Sequence, residues 1–217
     1  MPHRLKRFAR DFGVDKPLRI LDIGCGNHSA TRTKRWLPKS RYYGLDIQNY
    51  NNDDADFDAM EQFYRVDLSG DLSQLGLVPD NSFDAIVMAH VIEHLPNGLE
   101  VVSVLTKKLC HGGRIYIEFP GQRSLGLPSV RGTLNFCDDP THVHVYQVAE
   151  IANLLLANNC KILSAGTRRD WPRLVLTPLN FLYQWFRDGS PSAVTLWDIS
   201  GFAEYVYAER RNDETAS

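Results

Sequence analysis

The sequence predicts an α/β domain on a largely parallel, doubly wound sheet of seven strands. Three observations carry this. Short apolar runs alternate with amphipathic stretches, the order that βαβ units produce. A glycine pair in Gly24-Cys25-Gly26 directly follows the first run and precedes a helical stretch. Asp22, Asp46 and Asp67 stand at the ends of the first three runs, the edge where an open α/β sheet binds ligands.

Arg4 to Phe12 reads as a helix laid across the sheet. Leu18 to Ile23 is the first strand and ends at glycine. Arg41 to Ile47 is the second, with Tyr42, Tyr43, Leu45 and Ile47; Gln62 to Val66 is a short third. Phe83 to Ala89 is the fourth, a nearly continuous apolar run. Leu99 to Leu109 places Leu99, Val102, Leu105 and Leu109 at helical spacing, with Asn97 as a cap. Gly113 to Phe119 is the fifth strand, alternating Ile115, Ile117 and Phe119. Gln147 to Asn158 is a helix, and Asn159 is a left-handed stop. Lys161 to Thr167 and Phe202 to Glu209 are the last two strands.

Two connections exceed what a minimal α/β unit needs: 121–146 and 171–200. Long connections inside compact domains are usually functional. The first leaves the carboxyl end of a strand, so it shapes a ligand pocket. The second holds Trp171, Trp185 and Trp197 and reads as a lid or dimer contact without chemistry.

A chain of 217 residues, 43% apolar and 23% charged, fits one soluble domain, 1–217. The net charge of −2 gives no field to hold a nucleic acid. No apolar run has secretory or membrane-spanning length, so the expected location is the cytoplasm. Cys25, Cys110, Cys137 and Cys160 show no CxxC spacing, and all four read as small, partly buried thiols.

The glycine loop is not that of a dinucleotide dehydrogenase. Ser29 stands where the diphosphate fingerprint has its third glycine. Asp22 suits a cofactor with a positive amino acid end. Asp46 is placed to accept ribose hydroxyls, and Asp67-Leu68 to face an adenine amino group.

These residues resemble the class I S-adenosylmethionine (SAM) dependent methyltransferases. The matching pieces are Leu21-Asp22-Ile23-Gly24-Cys25-Gly26, Tyr43-Gly44-Leu45-Asp46, Val66-Asp67-Leu68, Phe83 through Leu95, and Leu109 through Ile115. The resemblance covers about residues 18–120. It implies the Rossmann-like methyltransferase fold, with an antiparallel last strand at Phe202 to Glu209. It implies that Asp22, Gly24, Cys25 and Gly26 line the methionine end of SAM, that Asp46 holds the ribose, and that Asp67 and Leu68 hold the adenine. Ala89 and His90 would border the sulfonium. His28 departs from the pattern, which commonly has glycine there, and so alters the loop's geometry. Glu93 and His94 would support the helix start.

Methyl transfer to an alcohol needs a base or a metal; an amine needs only positioning. The candidates are Glu118 and the run from Asn135 to Tyr146. His142 and His144 project to one side of an extended segment, and either is a natural base. Asp138 or Asp139 would orient its ring. Glu118, His142 and His144 also form a possible two-histidine, one-carboxylate metal set, and the aspartates offer oxygen ligands for magnesium. Arg123, Arg131 and Arg173 are candidates for an anionic acceptor.

The pattern from Gly132 to His142 resembles bacterial methyltransferases of polysaccharide and glycolipid synthesis. The Pro140-Thr141-His142-Val143-His144 run resembles mannoside 1-O-methyltransferases of the mycobacterial methylmannose polysaccharide pathway. That resemblance implies transfer to a sugar hydroxyl of a small-molecule or oligosaccharide acceptor, a partly methylated mannoside. Tyr146, Phe136, Trp171 and Trp185 would face the sugar. An amine or carboxylate acceptor, or a SAM-binding protein without catalysis, are the alternatives. The chain is a candidate homodimer.

Overall fold

The computed structural model describes residues 1–129, 133–189 and 193–212; the side chains at 171–173, 180, 188 and 193–195 are not described. The elements in chain order are α1 (His3–Phe12), β1 (Arg19–Ile23), α2 (Ser29–Trp36), β2 (Arg41–Asp46), α3 (Asp54–Asp58), β3 (Met60–Arg65) and β4 (Phe83–Ala89). Then follow α4 (Gly98–Lys108), β5 (Leu109–Pro120), α5 (Val148–Ala157), β6 (Cys160–Thr167), α6 (Trp171–Asp188), α7 (Ala193–Ser200) and β7 (Ala203–Arg210).

The strands form one seven-stranded sheet in the order β3-β2-β1-β4-β5-β7-β6. β7 runs antiparallel to both its neighbours, and the other pairings are parallel. Strand order reverses between β1 and β4, so a cleft opens beyond their carboxyl ends.

Alternate strand residues face opposite sides, which gives two cores. Leu21, Ile23, Ile86, Met88, Ile115 and Ile117 pack with Val102 and Leu105 of α4 and Ile151 and Leu155 of α5. Ile20, Ala85, Val87, Tyr116 and Tyr207 pack with Leu5 and Phe8 of α1. The first helix is therefore laid across the sheet, as its leucine and phenylalanine three residues apart predict.

Two local readings change and a third holds. β5 begins at Leu109, before the expected Gly113, because Leu109 pairs with Phe83 across a register irregularity. Asn97 precedes α4 but makes no side-chain cap; its buried Oδ1 is unpartnered. Asn159 does take the left-handed turn after α5, with φ 56°.

Within the connection 171–200 lie α6 and α7. α6 leaves Val175, Leu179, Tyr183 and Phe186 exposed. No described helix is long and apolar enough to cross a membrane.

Candidate active site

A cavity of about 250 Å³ lies at the carboxyl ends of β1, β2, β3 and β4. Gly24, Leu45, Asp46 and Ile47 form one wall; Val66, Asp67, Leu68 and Ser69 form a second. Val91, His94 and Leu95, from the turn after β4, close the third. The predicted residues Gly24, Asp46, Asp67 and Leu68 are therefore together.

Two glycines set how closely the loop approaches. Gly24 has φ +72°, and a Cβ there would stand 2.4 Å from Val91 Cγ2. A Cβ on Gly26 would stand 2.7 Å from the Tyr50 carbonyl oxygen. The chain continues left-handed through Asn27 and His28, at φ 55° and 59°. His28 replaces the commoner glycine at a steric cost. That cost is offset by its Nδ1, 2.6 Å from Asp56 Oδ2 at the head of α3.

Asp46 is half-buried, and burial raises its carboxyl pKa against the backbone amides of Ile47, Gln48 and Gly26. Asp67 accepts from the Ser69 amide and hydroxyl through Oδ1, which lowers its pKa. Among the described residues, no lysine or arginine lines the cavity. Two carboxylates with apolar walls fit hydroxyls, an amino group and an apolar ring face. They do not fit a diphosphate, whose charge they would repel. This donor set agrees with an adenosyl cofactor.

Other predicted cofactor residues lie outside the lining. Asp22 is buried beneath the loop, where it accepts from the Tyr42 hydroxyl at 2.6 Å. Burial raises its pKa to about 6. The Cys25 side chain packs with Ala30 and Tyr42 under the sheet edge, so only its backbone belongs to the loop. Burial pushes its thiol up, out of the reactive range. Gly26 contributes packing against Tyr50, and Ala89 packs into the core on the α1 side. All four cysteines are free, but Cys137 is exposed where partial burial was expected.

His90 sits beside the cavity in a polar network. Its φ of 56° turns the ring between two carboxylates. Nδ1 is 3.3 Å from Glu93 Oε1, and Nε2 is 3.2 Å from Glu118 Oε1. Burial lowers the His90 pKa, but the hydrogen bonds and charges of Glu118 and Glu93 outweigh it and lift it to about 9. His90 is therefore a cation at neutral pH, unfit to act as a base. Glu118 also accepts from the Tyr116 hydroxyl and faces Arg168. The His90 ring lies 4.9 Å from that of Trp197, whose Nε1–H donates to the Thr133 carbonyl. The connection 171–200 thus borders the site through Trp197.

Glu118 is spent in this network, so the set Glu118, His142 and His144 does not assemble. His142 instead joins Glu93 and His94: one ligand atom from each lies within 4.8 Å of the others. Their placement comes from the backbone, because the Val143 and His144 amides both donate to the Glu93 carbonyl. His142 and His144 do not share a side. The first is nearly buried, with Nε2 3.9 Å from Asp139 Oδ2. The second is half-exposed, its ring tilted against that of Tyr146, with Nε2 3.9 Å from Glu150 Oε2.

Asp138 accepts from the Leu134 and Asn135 amides and builds a turn, so it orients neither histidine. Tyr146 and Phe136 are core residues, and Trp185 is exposed on α6. Arg123 lies near Glu204 and Gly201. Arg131 and the side chains of Trp171 and Arg173 lie outside the described residues. Sequence reasoning assigned His94 to support of a helix start and missed it as cavity wall. Its signal was position, directly beyond the fourth strand.

Residues 1–165 match the family model described as a methyltransferase domain. The chain belongs to this methyltransferase family. The domain is similar in fold to a SAM-dependent methyltransferase from Archaeoglobus fulgidus, with TM-score 0.57, 20% identity and 95% and 92% of the two chains covered. It is also similar to an S-adenosylmethionine-dependent methyltransferase from Mesorhizobium loti, with TM-score 0.62, 16% identity and 95% of each chain covered. At these identities the likeness shows the fold. The sterol 24-C-methyltransferase of Neurospora crassa is 30% identical over 108 residues, covering 48% of this methyltransferase and 28% of that protein. That of Gibberella zeae is 29% identical over the same length and share. This methyltransferase thus spans 28% of the length of these curated relatives.

Proposed function

We propose that this methyltransferase is a SAM-dependent O-methyltransferase acting on a hydroxyl of a small acceptor, with a sugar such as a partly methylated mannoside as the acceptor class. When bound, SAM supplies a methyl carbon on a positively charged sulfur; an acceptor oxygen displaces that sulfur, leaving a methyl ether, S-adenosylhomocysteine and a proton. Gly24, Asp46 and Asp67 hold and orient the cofactor.

One observation carries the hydroxyl reading. His94 lies on the cavity wall and meets His142 and the buried Glu93 carboxylate in one cluster. A hydroxyl must lose its proton as it is methylated, and a cluster of proton acceptors lowers that cost. His142 enters the reaction through this cluster. His144 stands beside it as a second, more exposed acceptor. The protonated His90 and its two carboxylates position the turn after β4.

The experiment is transfer from labelled SAM to short mannosides, free and partly O-methylated, with a sterol alongside. Label in a mannoside ether supports the reading. Label in the sterol carbon, with none in any sugar, replaces it with the carbon acceptor named by the curated relatives.

A further inference from the structure

The Glu93–His94–His142 cluster gathers ligand atoms whose roles its hydrogen bonds define. The Thr141 hydroxyl gives its proton to Asp139 Oδ1 at 2.6 Å. His94 Nδ1, 2.9 Å from that hydroxyl oxygen and 3.3 Å from the Thr141 carbonyl, must therefore be the donor to both. His142 Nδ1 is 2.7 Å from the Phe136 carbonyl and must donate to it. In the neutral form each ring so bonded carries its proton on Nδ1 and presents a lone pair at Nε2. The third member is Glu93, 1% exposed, whose Oε1 is paired with the His90 ring at 3.3 Å. One ligand atom from each of the three lies within 4.8 Å of the others.

We propose that Glu93, His94 and His142 hold a divalent first-row transition cation on the wall of the cofactor cavity. Two imidazoles and one carboxylate suit zinc, cobalt, iron(II) or manganese rather than magnesium or calcium, which prefer oxygen throughout. The carbonyls of Thr141 and Phe136 fix the two rings, the usual support for a metal-bound histidine. Asp139 Oδ2, 3.9 Å from His142 Nε2, stands near enough to serve as a fourth ligand. A cation there would bind an acceptor hydroxyl and lower its pKa, so the proton leaves to solvent as the methyl ether forms. That use rests on the O-methyl transfer reading above; the existence of the site does not.

The test is cobalt titration of the metal-stripped full chain without SAM, followed by visible absorption and by thermal unfolding. One equivalent is expected to give cobalt d–d bands and a raised Tm, with zinc displacing it. Glu93→Gln, nearly isosteric, and His142→Ala should each weaken cobalt by more than about 100-fold, beyond the loss from changing a group that only orients a ligand. Far-UV circular dichroism and S-adenosylhomocysteine binding check their folding. The His28–Asp53–Asp56 set, on the glycine loop and α3, is the control. Bands that vanish in His28→Asn and persist in Glu93→Gln overturn the assignment. So does a wild-type chain with neither bands nor a Tm shift, which needs no variant to fold. The two readings separate cleanly. Sugar methylation that survives chelation, without cobalt binding, removes the metal and keeps the acceptor; cobalt binding with no methylated hydroxyl does the reverse.

Discussion

His90 Nε2 stands 3.2 Å from Glu118 Oε1, across the pairing of β4 with β5 that sets Ala89 beside Glu118. With Glu93 on the other ring nitrogen, this raises the His90 pKa from 6.5 to about 9. The folded state thus binds a proton that the unfolded chain releases first. The resulting stability is complete below about pH 6.5 and is lost as pH rises through about 9, an upper bound of about 3 kcal/mol. Urea midpoints from about pH 6 to about pH 10 should fall across that window, and in His90→Gln this slope should flatten. An equal slope in the variant removes His90 as its source.

Glu118→Gln removes one of the two carboxylates that hold His90 protonated and also leaves Arg168 short of a partner. Breaking a buried pair costs about 3–5 kcal/mol. The His90 titration, followed by NMR of the ring protons, should move down towards its ordinary range. A pKa that stays near 9 in this variant would assign the shift to Glu93 alone.

Gly24→Ala meets two penalties: a left-handed φ of +72° and a Cβ 2.4 Å from Val91 Cγ2. A loss of about 2–4 kcal/mol is expected, together with weaker S-adenosylhomocysteine binding. Adding Val91→Ala should recover only the steric part. Complete recovery would show that the backbone conformation costs nothing.

Asp46→Asn should weaken S-adenosylhomocysteine by about 10–100-fold in calorimetry, the value of one or two charged hydrogen bonds. Asp67→Asn should cost less, because Oδ1 is already taken by Ser69. The reverse order would move the main cofactor anchor to β3.

His28→Gly relieves a left-handed residue but removes the contact to Asp56, so its net effect on Tm should be small. Asp56→Ala removes that contact, the Thr31 hydroxyl bond and the α3 capping box together. It should cost about 2 kcal/mol or more, read as a urea midpoint. A large loss in His28→Gly with none in Asp56→Ala would reverse this account of the loop.

The sheet was legible because its signals are local. Alternation along Gly113 to Phe119 and the apolar run from Phe83 to Ala89 encode strands within a few residues, and glycine after β1 encodes the loop. Gly24, Asp46, Asp67 and Leu68 follow, since a strand's carboxyl end fixes where the next residues point. The strand ends at Leu109 and Met60 were not legible, because pairing with a neighbour sets them.

The acceptor side was decided by tertiary structure. Nothing near Glu118 in sequence announces His90, yet strand pairing joins them and withdraws Glu118 from any metal set. His142 and His144 look equivalent at a spacing of two. The Glu93 carbonyl, held 2.9 Å from the Val143 amide, sends one inward to His94 and leaves the other at the surface. Sequence fixes what each segment prefers by itself. Which side chains meet depends on packing between segments about 50 residues apart in the chain, and no local period encodes that.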